Sequence, residues 1–337
     1  MSHSSSTDPM YQAIVGLSGQ FKISREITKK LDLAGLEQKS FKSFTLAGMG
    51  GSTLTGEFVV DYLRDFSVPF YVLRDYRLPN YLGKEDLILC SSYSGNTEET
   101  LAVFQEALSR QIPVIVLAHG GRLRELASKN RVPCLEIPTC VQPRQGLGNF
   151  FVSIVTLLER LGQLPSQEKV FQHLASFLDT EQSTSEQTGK KLSLLLKGRM
   201  PIIYGPIQLT GACNAIKIKF NENCKITSFF NVFPEINHNE MIGWTKPLFV
   251  GTLIYLVSQT MSERLRQRMD ITEEIVRDKI PVMRLDLKGG APLLEMFHAV
   301  QLGDFITYYL AQQMGVEPAP VPMIEEFKKK LGPPQGY

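Results

Sequence analysis

The segment around residues 43–63 places the strongest constraint on the fold of this chain. Residues 43–47 form a short apolar run, residues 48–52 form a glycine loop, and residues 56–63 have the apolar spacing of a helix. A strand, a glycine loop and a helix in this order are typical of the opening of a βαβ unit. The sequence therefore predicts a parallel sheet with helices on its faces.

The same alternation continues along the chain. Further strands are predicted at 70–74, 86–90, 113–117, 134–137, 200–205, 248–256 and 281–285, with a strand or extended segment at 225–229. Helices are predicted at 149–161, 210–221, 262–277, 295–314 and 323–331, and within 163–198 where helices would join two domains. We therefore predict an α/β protein with two domains, residues 1–163 and 164–337, each a mostly parallel sheet flanked by helices.

Composition excludes several classes of protein. The net charge is only +2 in 337 residues, which argues against a nucleic-acid or membrane-surface binder. No apolar run has the length of a membrane span, and the Ser-rich start lacks the apolar core of a secretory signal. The five cysteines show no C-x-x-C spacing, so we expect neither a disulfide framework nor a zinc ribbon. The expected location is the cytoplasm.

Two loops have the composition of anion-binding loops. Gly50, Gly51 and Ser52 allow backbone N–H groups to approach a ligand, and residues 92–97 offer the small hydroxyls of two serines and one threonine just before a helix. The N-terminus of that helix favours negative charge. Each loop alone is also compatible with an ordinary capped strand–helix turn. Together, at the carboxyl ends of strands in one sheet, the loops predict a phosphate site.

A second polar region lies at residues 220–240. The run Asn221–Lys225 is followed by Pro234–Glu240, which contains His238. A carboxylate and an imidazole can perform general acid–base chemistry when their environment brings their pKa values near neutral. The alternative interpretation is a capped polar surface loop.

Three other kinds of site are disfavoured by the residues. The run Gly48–Thr53 begins like a dinucleotide-binding loop, but Thr53 stands where a third glycine belongs. The chain contains no Walker loop, and His238 has no second His or Cys at ligand spacing, so we predict no metal and no cofactor. His119 and His298 are predicted to be structural.

These motifs resemble the sugar isomerase (SIS) domain family. Residues 50–52 and 92–100 are similar to the SIS signature, and residues 221–225 and 234–240 resemble the bifunctional phosphoglucose/phosphomannose isomerases. The resemblance spans nearly the whole chain. It implies two SIS domains, a homodimer with shared active sites, and metal-free isomerisation of glucose 6-phosphate and mannose 6-phosphate to fructose 6-phosphate.

The resemblance also implies a role for individual residues. The phosphate would be bound by Gly51, Ser52, Ser92, Ser94 and Thr97. Glu222 would be the base, and His238 would open the sugar ring. Arg144 would stabilise the enediolate, and Lys328 would act at the ring oxygen, although Lys329 and Lys330 follow it directly.

The chain departs from the family pattern at two places. Thr53 stands where the family usually has a small residue, and residues 215–217 contain no arginine. Two alternative functions stay open at this point. One is a non-catalytic SIS-domain sensor of sugar phosphates, since fold alone does not decide function. The other is an isomerase of a different sugar phosphate on the same fold.

Overall fold

The computed structural model describes residues 7–332, which alternate between helices and parallel strands. The helices are α1 (Pro9–Val15), α2 (Gly19–Lys29), α3 (Gly50–Tyr62), α4 (Glu98–Ser109), α5 (Gly121–Lys129), α6 (Leu147–Arg160), α7 (Glu168–Leu196), α8 (Thr210–Asn223), α9 (Glu263–Val276), α10 (Pro292–Gln313) and α11 (Pro322–Leu331). The strands are β1 (Ser43–Gly48), β2 (Phe70–Leu73), β3 (Asp86–Ser91), β4 (Val114–Ala118), β5 (Cys134–Glu136), β6 (Met200–Pro206), β7 (Phe229–Phe233), β8 (Gly251–Val257) and β9 (Val282–Asp286).

The described residues form two compact units. The first unit comprises residues 16–175 and 321–332, and the second comprises residues 7–15 and 176–320. Helix α1 belongs to the second unit because Met10 and Ile14 share an apolar cluster with Phe305 and Tyr308 of α10. The predicted domain boundary after residue 163 falls between α6 and α7, and it stays a prediction.

The first unit is built on a five-stranded parallel sheet. The strand order is β2-β1-β3-β4-β5, and every pairing is parallel. All residues of β1 and β4 are buried. Strands that are buried on both faces are expected where helices cover both sides of a parallel sheet. The predicted α/β fold with helix-flanked parallel sheets is therefore confirmed for this unit.

The second unit contains a four-stranded parallel sheet in the order β7-β6-β8-β9. All seven residues of β8 are buried. Aromatic side chains from three of its strands pack together. The Phe233 ring centroid is 6.2 Å from that of Tyr204 and 5.6 Å from that of Tyr255. The predicted repetition of one architecture is thus present, since both sheets are parallel and helix-flanked.

Several element boundaries differ from the prediction. The predicted strand at 248–256 begins only at Gly251, because its partner β6 begins opposite this residue at Met200. Leu248 is 89% exposed and lies before the strand. The strand predicted at 225–229 begins at Phe229, and α8 continues to Asn223 rather than ending at residue 221. Residues 163–198 contain one long helix, α7, where several were predicted.

A helix that spans a membrane must be both long and predominantly apolar. Within residues 7–332, no helix meets both requirements.

Candidate active site

The two loops predicted to bind phosphate follow neighbouring strands of the first sheet. β1 ends at Gly48 and β3 ends at Ser91, and these residues are register partners. The chain passes from β1 to β2 on one side and returns to β3 on the other, so the strand order reverses between β1 and β3. Ligands of open parallel sheets bind outside the carboxyl ends of the strands at such a reversal. The expected placement of the loops is observed, and their binding role stays a prediction.

Ser52 connects the two loops. The backbone N–H of Tyr93 donates a hydrogen bond to Ser52 Oγ at 3.0 Å. In return, Ser91 Oγ donates to the Ser52 carbonyl oxygen at 3.1 Å. Ser52 is buried on the first turn of α3. These two bonds hold the glycine loop (residues 48–52) and the serine loop (residues 92–97) beside each other.

The serine loop is organised by its own hydroxyls. Ser92 Oγ lies 2.8 Å from Thr97 Oγ1 and accepts a hydrogen bond from the Gly95 N–H at 3.1 Å. Ser94 Oγ accepts from the Asn96 N–H at 3.3 Å, and Ser94 is exposed. Helix α4 begins directly after Thr97, so its positive N-terminal end adds to this array of donors. The loop therefore has the composition and position that an anion requires.

Gly51 allows a close approach between the glycine loop and the segment that carries Arg144. A Cβ on Gly51 would lie 2.9 Å from the Arg144 backbone nitrogen and 3.1 Å from the Pro143 carbonyl carbon. Any larger residue would push these backbones apart. Arg144 is only 2% exposed and lies in a 3-10 turn over Pro143–Gln145, just before α6. The structure therefore places Arg144 beside the loop that contains Ser52.

Thr53 is the residue that departs from the family pattern in this loop. It is fully buried on α3, and its Oγ1 donates to the Gly50 carbonyl oxygen at 3.3 Å. This hydroxyl is thus used inside the loop and helps to hold its turn.

Glu222 lies in the last turn of α8, in the second unit, and is partly exposed. Cys224 is the capping residue directly after the helix. Its Sγ donates to the Thr307 carbonyl oxygen at 3.2 Å, and burial raises the pKa of this thiol to about 12. Asn223 Nδ2 donates to Thr307 Oγ1 at 3.0 Å. The helix end that carries Glu222 is therefore anchored on α10 by the two residues that follow it.

One further anchor of this helix was not predicted from the sequence. Lys219, one turn before Glu222, forms a buried ion pair with Asp304 of α10. The signal lies in the helical spacing, because Lys219 and Asn223 occupy the apolar face that includes Ile216 and Phe220. A charged side chain at a core position indicates a specific buried partner.

His238 lies in the irregular segment that follows β7. The Phe233–Pro234 peptide bond is cis, a 3-10 turn spans Glu235–Asn237, and His238 is exposed directly after it. Asn237 Nδ2 anchors this turn by donating to Thr272 Oγ1 at 2.8 Å.

The two other carboxylates of this segment have local partners. Glu235 accepts a hydrogen bond from Asn239 Nδ2 at 2.8 Å. Glu240 accepts from both the Tyr204 hydroxyl and Asn231 Nδ2. The pKa of the Tyr204 hydroxyl is raised, mainly by burial and to a smaller extent by its hydrogen bond to Glu240. Glu240 therefore has a structural role in joining its turn to β6 and β7.

Lys328 lies in α11, whose residues are all exposed. The preference for Lys328 over its equally exposed neighbours Lys329 and Lys330 stays a prediction. Of the predicted site residues, Lys328, Arg144 and the phosphate-loop residues belong to the first unit, and Glu222 and His238 belong to the second.

His119 and His298 have the structural contacts expected of them. The His119 ring stacks on Tyr93 with centroids 5.1 Å apart, and its Nδ1 lies 2.9 Å from the Ile137 carbonyl oxygen. His298 Nδ1 accepts from the Lys288 backbone N–H at 2.9 Å, and burial lowers the pKa of this imidazole to about 4. Within residues 7–332, no three His, Cys, Asp or Glu side chains are grouped closely enough to hold a metal ion.

Comparison with known proteins identifies the family. A model of the bacterial phospho-glucose isomerase C-terminal SIS domain matches residues 185–331. The bifunctional phosphoglucose/phosphomannose isomerase of Caldicellulosiruptor bescii is 32% identical over 338 residues, which cover 96% of this chain and 98% of that protein. The protein of the same name from Aquifex aeolicus is 31% identical, with 96% and 98% covered.

A solved structure supports the fold. The C-terminal domain of glucosamine-fructose-6-phosphate aminotransferase from Francisella tularensis superposes with a TM-score of 0.74 at 11% identity, covering 94% of this chain and 100% of that domain. At this identity the likeness concerns the fold alone. Because two relatives above 30% identity extend over nearly the whole chain, the protein belongs to the bifunctional phosphoglucose/phosphomannose isomerase family.

Proposed function

We propose that this protein is an aldose–ketose isomerase that interconverts glucose 6-phosphate, and also mannose 6-phosphate, with fructose 6-phosphate. The observation that carries the proposal is the pair of hydroxyl-bearing loops at the strand-order reversal of the first sheet, joined through Ser52. Family membership over nearly the whole chain supports the same function.

The substrate phosphate binds at the two loops. Gly51, Ser52, Ser92, Ser94 and Thr97 supply backbone and hydroxyl donors, and the N-terminus of α4 adds its dipole. The phosphate is remote from the reacting carbons. Its binding energy therefore serves to hold those carbons in a fixed position during proton transfer.

Glu222 moves a proton between C2 and C1 of the open-chain sugar. C1 and C2 are adjacent, so one carboxylate on one face of the planar enediol can take the proton from C2 and return it to C1. His238 transfers the proton that opens the ring, and Lys328 assists at the ring oxygen. Arg144 offsets the negative charge that develops on the enediolate oxygens. None of these steps uses a metal or an organic cofactor.

The protein acts as a homodimer in which His238 serves the neighbouring active site. The support is the surface around this residue. His238 is exposed, and the segment that follows it presents Ile242, Leu248 and Val250 to solvent. These residues lie beside an apolar groove of about 440 Å³ that Trp244 and Phe249 line. A second copy of the chain would cover this surface and bring its own His238 with it.

The working compartment is proposed to be the cytoplasm. Within residues 7–332 no two cysteines form a disulfide, and Cys90, Cys213 and Cys224 are buried. Burial raises the pKa of the Cys90 thiol, which lies in the apolar core of the first unit.

A coupled assay tests the proposal. Glucose 6-phosphate and mannose 6-phosphate are supplied separately, and the formation of fructose 6-phosphate is measured. Product from glucose 6-phosphate supports the isomerase, and product from both supports the bifunctional assignment. Binding of both sugars without product would indicate a sensor. Turnover of a different sugar phosphate alone would indicate the other alternative.

A further inference from the structure

The second sheet has a loop in the position that the serine loop occupies in the first sheet. In the order β7-β6-β8-β9 the strand order reverses between β6 and β8, as it does between β1 and β3. The loop at residues 258–262 therefore follows the strand that corresponds to β3. Like the serine loop it leads into a helix, α9, whose first turn is capped by Ser262 Oγ. By the rule for parallel sheets, this is the second place in the chain where a ligand is expected.

The loop already contacts a carboxylate of the same unit. Glu295, in the first turn of α10, is fully buried. Its Oε1 accepts hydrogen bonds from the backbone N–H groups of Gln259 at 2.9 Å and Thr260 at 3.2 Å. Its Oε2 accepts from Thr260 Oγ1 at 3.0 Å and from Ser258 Oγ. Two backbone N–H groups and two hydroxyls thus converge on one carboxylate.

This donor set is the set that binds a phosphate oxygen in a glycine or serine loop. Arg266 Nη2 donates to the Ser258 carbonyl oxygen at 2.8 Å, which fixes the loop and adds positive charge close to it. Interaction with the dipole of α10 does not account for the arrangement, because a solvent-exposed glutamate in the first turn would be sufficient for that. A fully buried carboxylate requires specific donors, and these come from a loop that is distant in sequence.

We propose that residues 258–260 form an oxyanion-binding loop that is permanently occupied by the chain's own Glu295. The carboxylate closes this position to sugar phosphates. Removal of the carboxylate should therefore open a site for inorganic phosphate or sulfate. The inference depends on contacts within the second unit and does not require the proposed isomerase activity.

Calorimetric titration of Glu295→Ala with inorganic phosphate, at constant ionic strength, tests the proposal. The variant should bind one more phosphate per chain than the wild type. Its melting temperature should also rise with phosphate concentration more steeply than that of the wild type, because a ligand that binds only the folded state stabilises it. Adding Ser258→Ala and Thr260→Val to Glu295→Ala should abolish the extra binding, which locates the site.

Two matched variants serve as controls. Leu294→Ala removes a neighbouring buried side chain but leaves the carboxylate, and Glu295→Gln keeps the side-chain volume. Neither should bind additional phosphate. If Glu295→Ala binds no more phosphate than the wild type, the proposal is rejected. If Glu295→Ala is isolated unfolded, its refolding yields in phosphate and in chloride are measured in place of the titration. If phosphate improves this yield no more than it improves that of Leu294→Ala, the proposal is likewise rejected.

The outcome for the proposed isomerase is separate. Failure of the wild type to bind phosphate would argue against the phosphate role of the loops in the first unit. The difference between variant and wild type would still report on residues 258–260.

Discussion

Lys219 Nζ lies 2.5 Å from Asp304 Oδ1, and the two side chains are only 1% and 3% exposed. The pair joins α8 to α10 within the second unit, one turn before Glu222. A buried charge that loses its partner retains its desolvation cost, so breaking the pair is costly even where its net contribution is small. We therefore regard Lys219 and Asp304 as positioning residues for the helix end that carries Glu222.

Asp304→Asn should lower the free energy of unfolding by about 3–5 kcal/mol, because Lys219 would remain buried without its counter-charge. Urea denaturation measures this loss. The double variant Lys219→Met with Asp304→Leu should be considerably more stable than Asp304→Asn. Glu136→Gln, which breaks an exposed ion pair with Arg124, is the control and should change stability by less than about 1 kcal/mol. Equal losses at the buried and exposed pairs would contradict the role given to Lys219.

Glu222→Gln should abolish turnover and leave the binding of hexose phosphates almost unchanged. The amide keeps the shape of the side chain but cannot accept the proton, so the loss belongs in kcat. Steady-state kinetics and calorimetric binding measure the two quantities separately. Glu235→Gln is the matched control, because Glu235 is exposed and lies in the other polar segment. Substantial kcat in Glu222→Gln would assign the base to another residue.

Ser94→Ala and Thr97→Ala should each weaken the binding of glucose 6-phosphate and mannose 6-phosphate by about 1.5–3 kcal/mol. The loss should be similar for both sugars, since the hydroxyls are predicted to contact the common phosphate group. Competition binding with the two substrates measures it. Ser109→Ala, at the opposite end of α4, should have no effect. A change in sugar preference at constant affinity would place these hydroxyls at the sugar.

Mixing two inactive variants should restore activity if His238 serves the neighbouring subunit. Homodimers of Glu222→Gln and of His238→Ala should both be nearly inactive. A heterodimer would have one site with both defects and one site with neither, so random mixing should make about a quarter of all sites intact. Activity after co-refolding, with heterodimers verified by mass, measures the recovery. No recovery would reject the shared site, because a histidine that serves its own subunit leaves one defect in every site.

His298 should make folding stability depend on pH in the acid range. Burial lowers its pKa from 6.5 to about 4, with Glu181 opposing this shift and Lys288 adding to it. The unfolded chain therefore binds a proton at higher pH than the folded protein. The stabilisation by the neutral imidazole is complete above pH about 6.5 and is lost as the pH falls toward about 4.

His298→Asn should reduce this dependence, with a difference in slope from wild type that approaches about 1.4 kcal/mol per pH unit within the window. Urea denaturation at several pH values measures it. His173→Asn, at an exposed histidine, should retain the wild-type slope. Parallel pH profiles for wild type and His298→Asn would contradict the assignment.

The sequence by itself determined the features that arise from local patterns. The order of strand, glycine loop and helix predicted β1 and α3, and the hydroxyls before α4 predicted a second loop of the same kind. Parallel strands place their carboxyl ends at one edge, so two loop motifs were enough to predict that Ser52 and the serine loop are neighbours. The resemblance of residues 234–240 to the bifunctional phosphoglucose/phosphomannose isomerases likewise required no tertiary information.

Only the tertiary structure decided which residues pack against a distant partner. Leu248 is as apolar as a strand residue, yet it is exposed. It has no pairing partner in the described part of the chain, because the pairing of β6 with β8 begins only at Met200 and Gly251. Lys219 and Asp304 are 85 positions apart. Glu295 is 35 positions or more from the loop whose N–H and O–H groups donate hydrogen bonds to it. A local pattern shows that a charged residue lies on an apolar face. Its partner is chosen by the folding of the whole chain, because the contact exists only when two separate helices or loops meet.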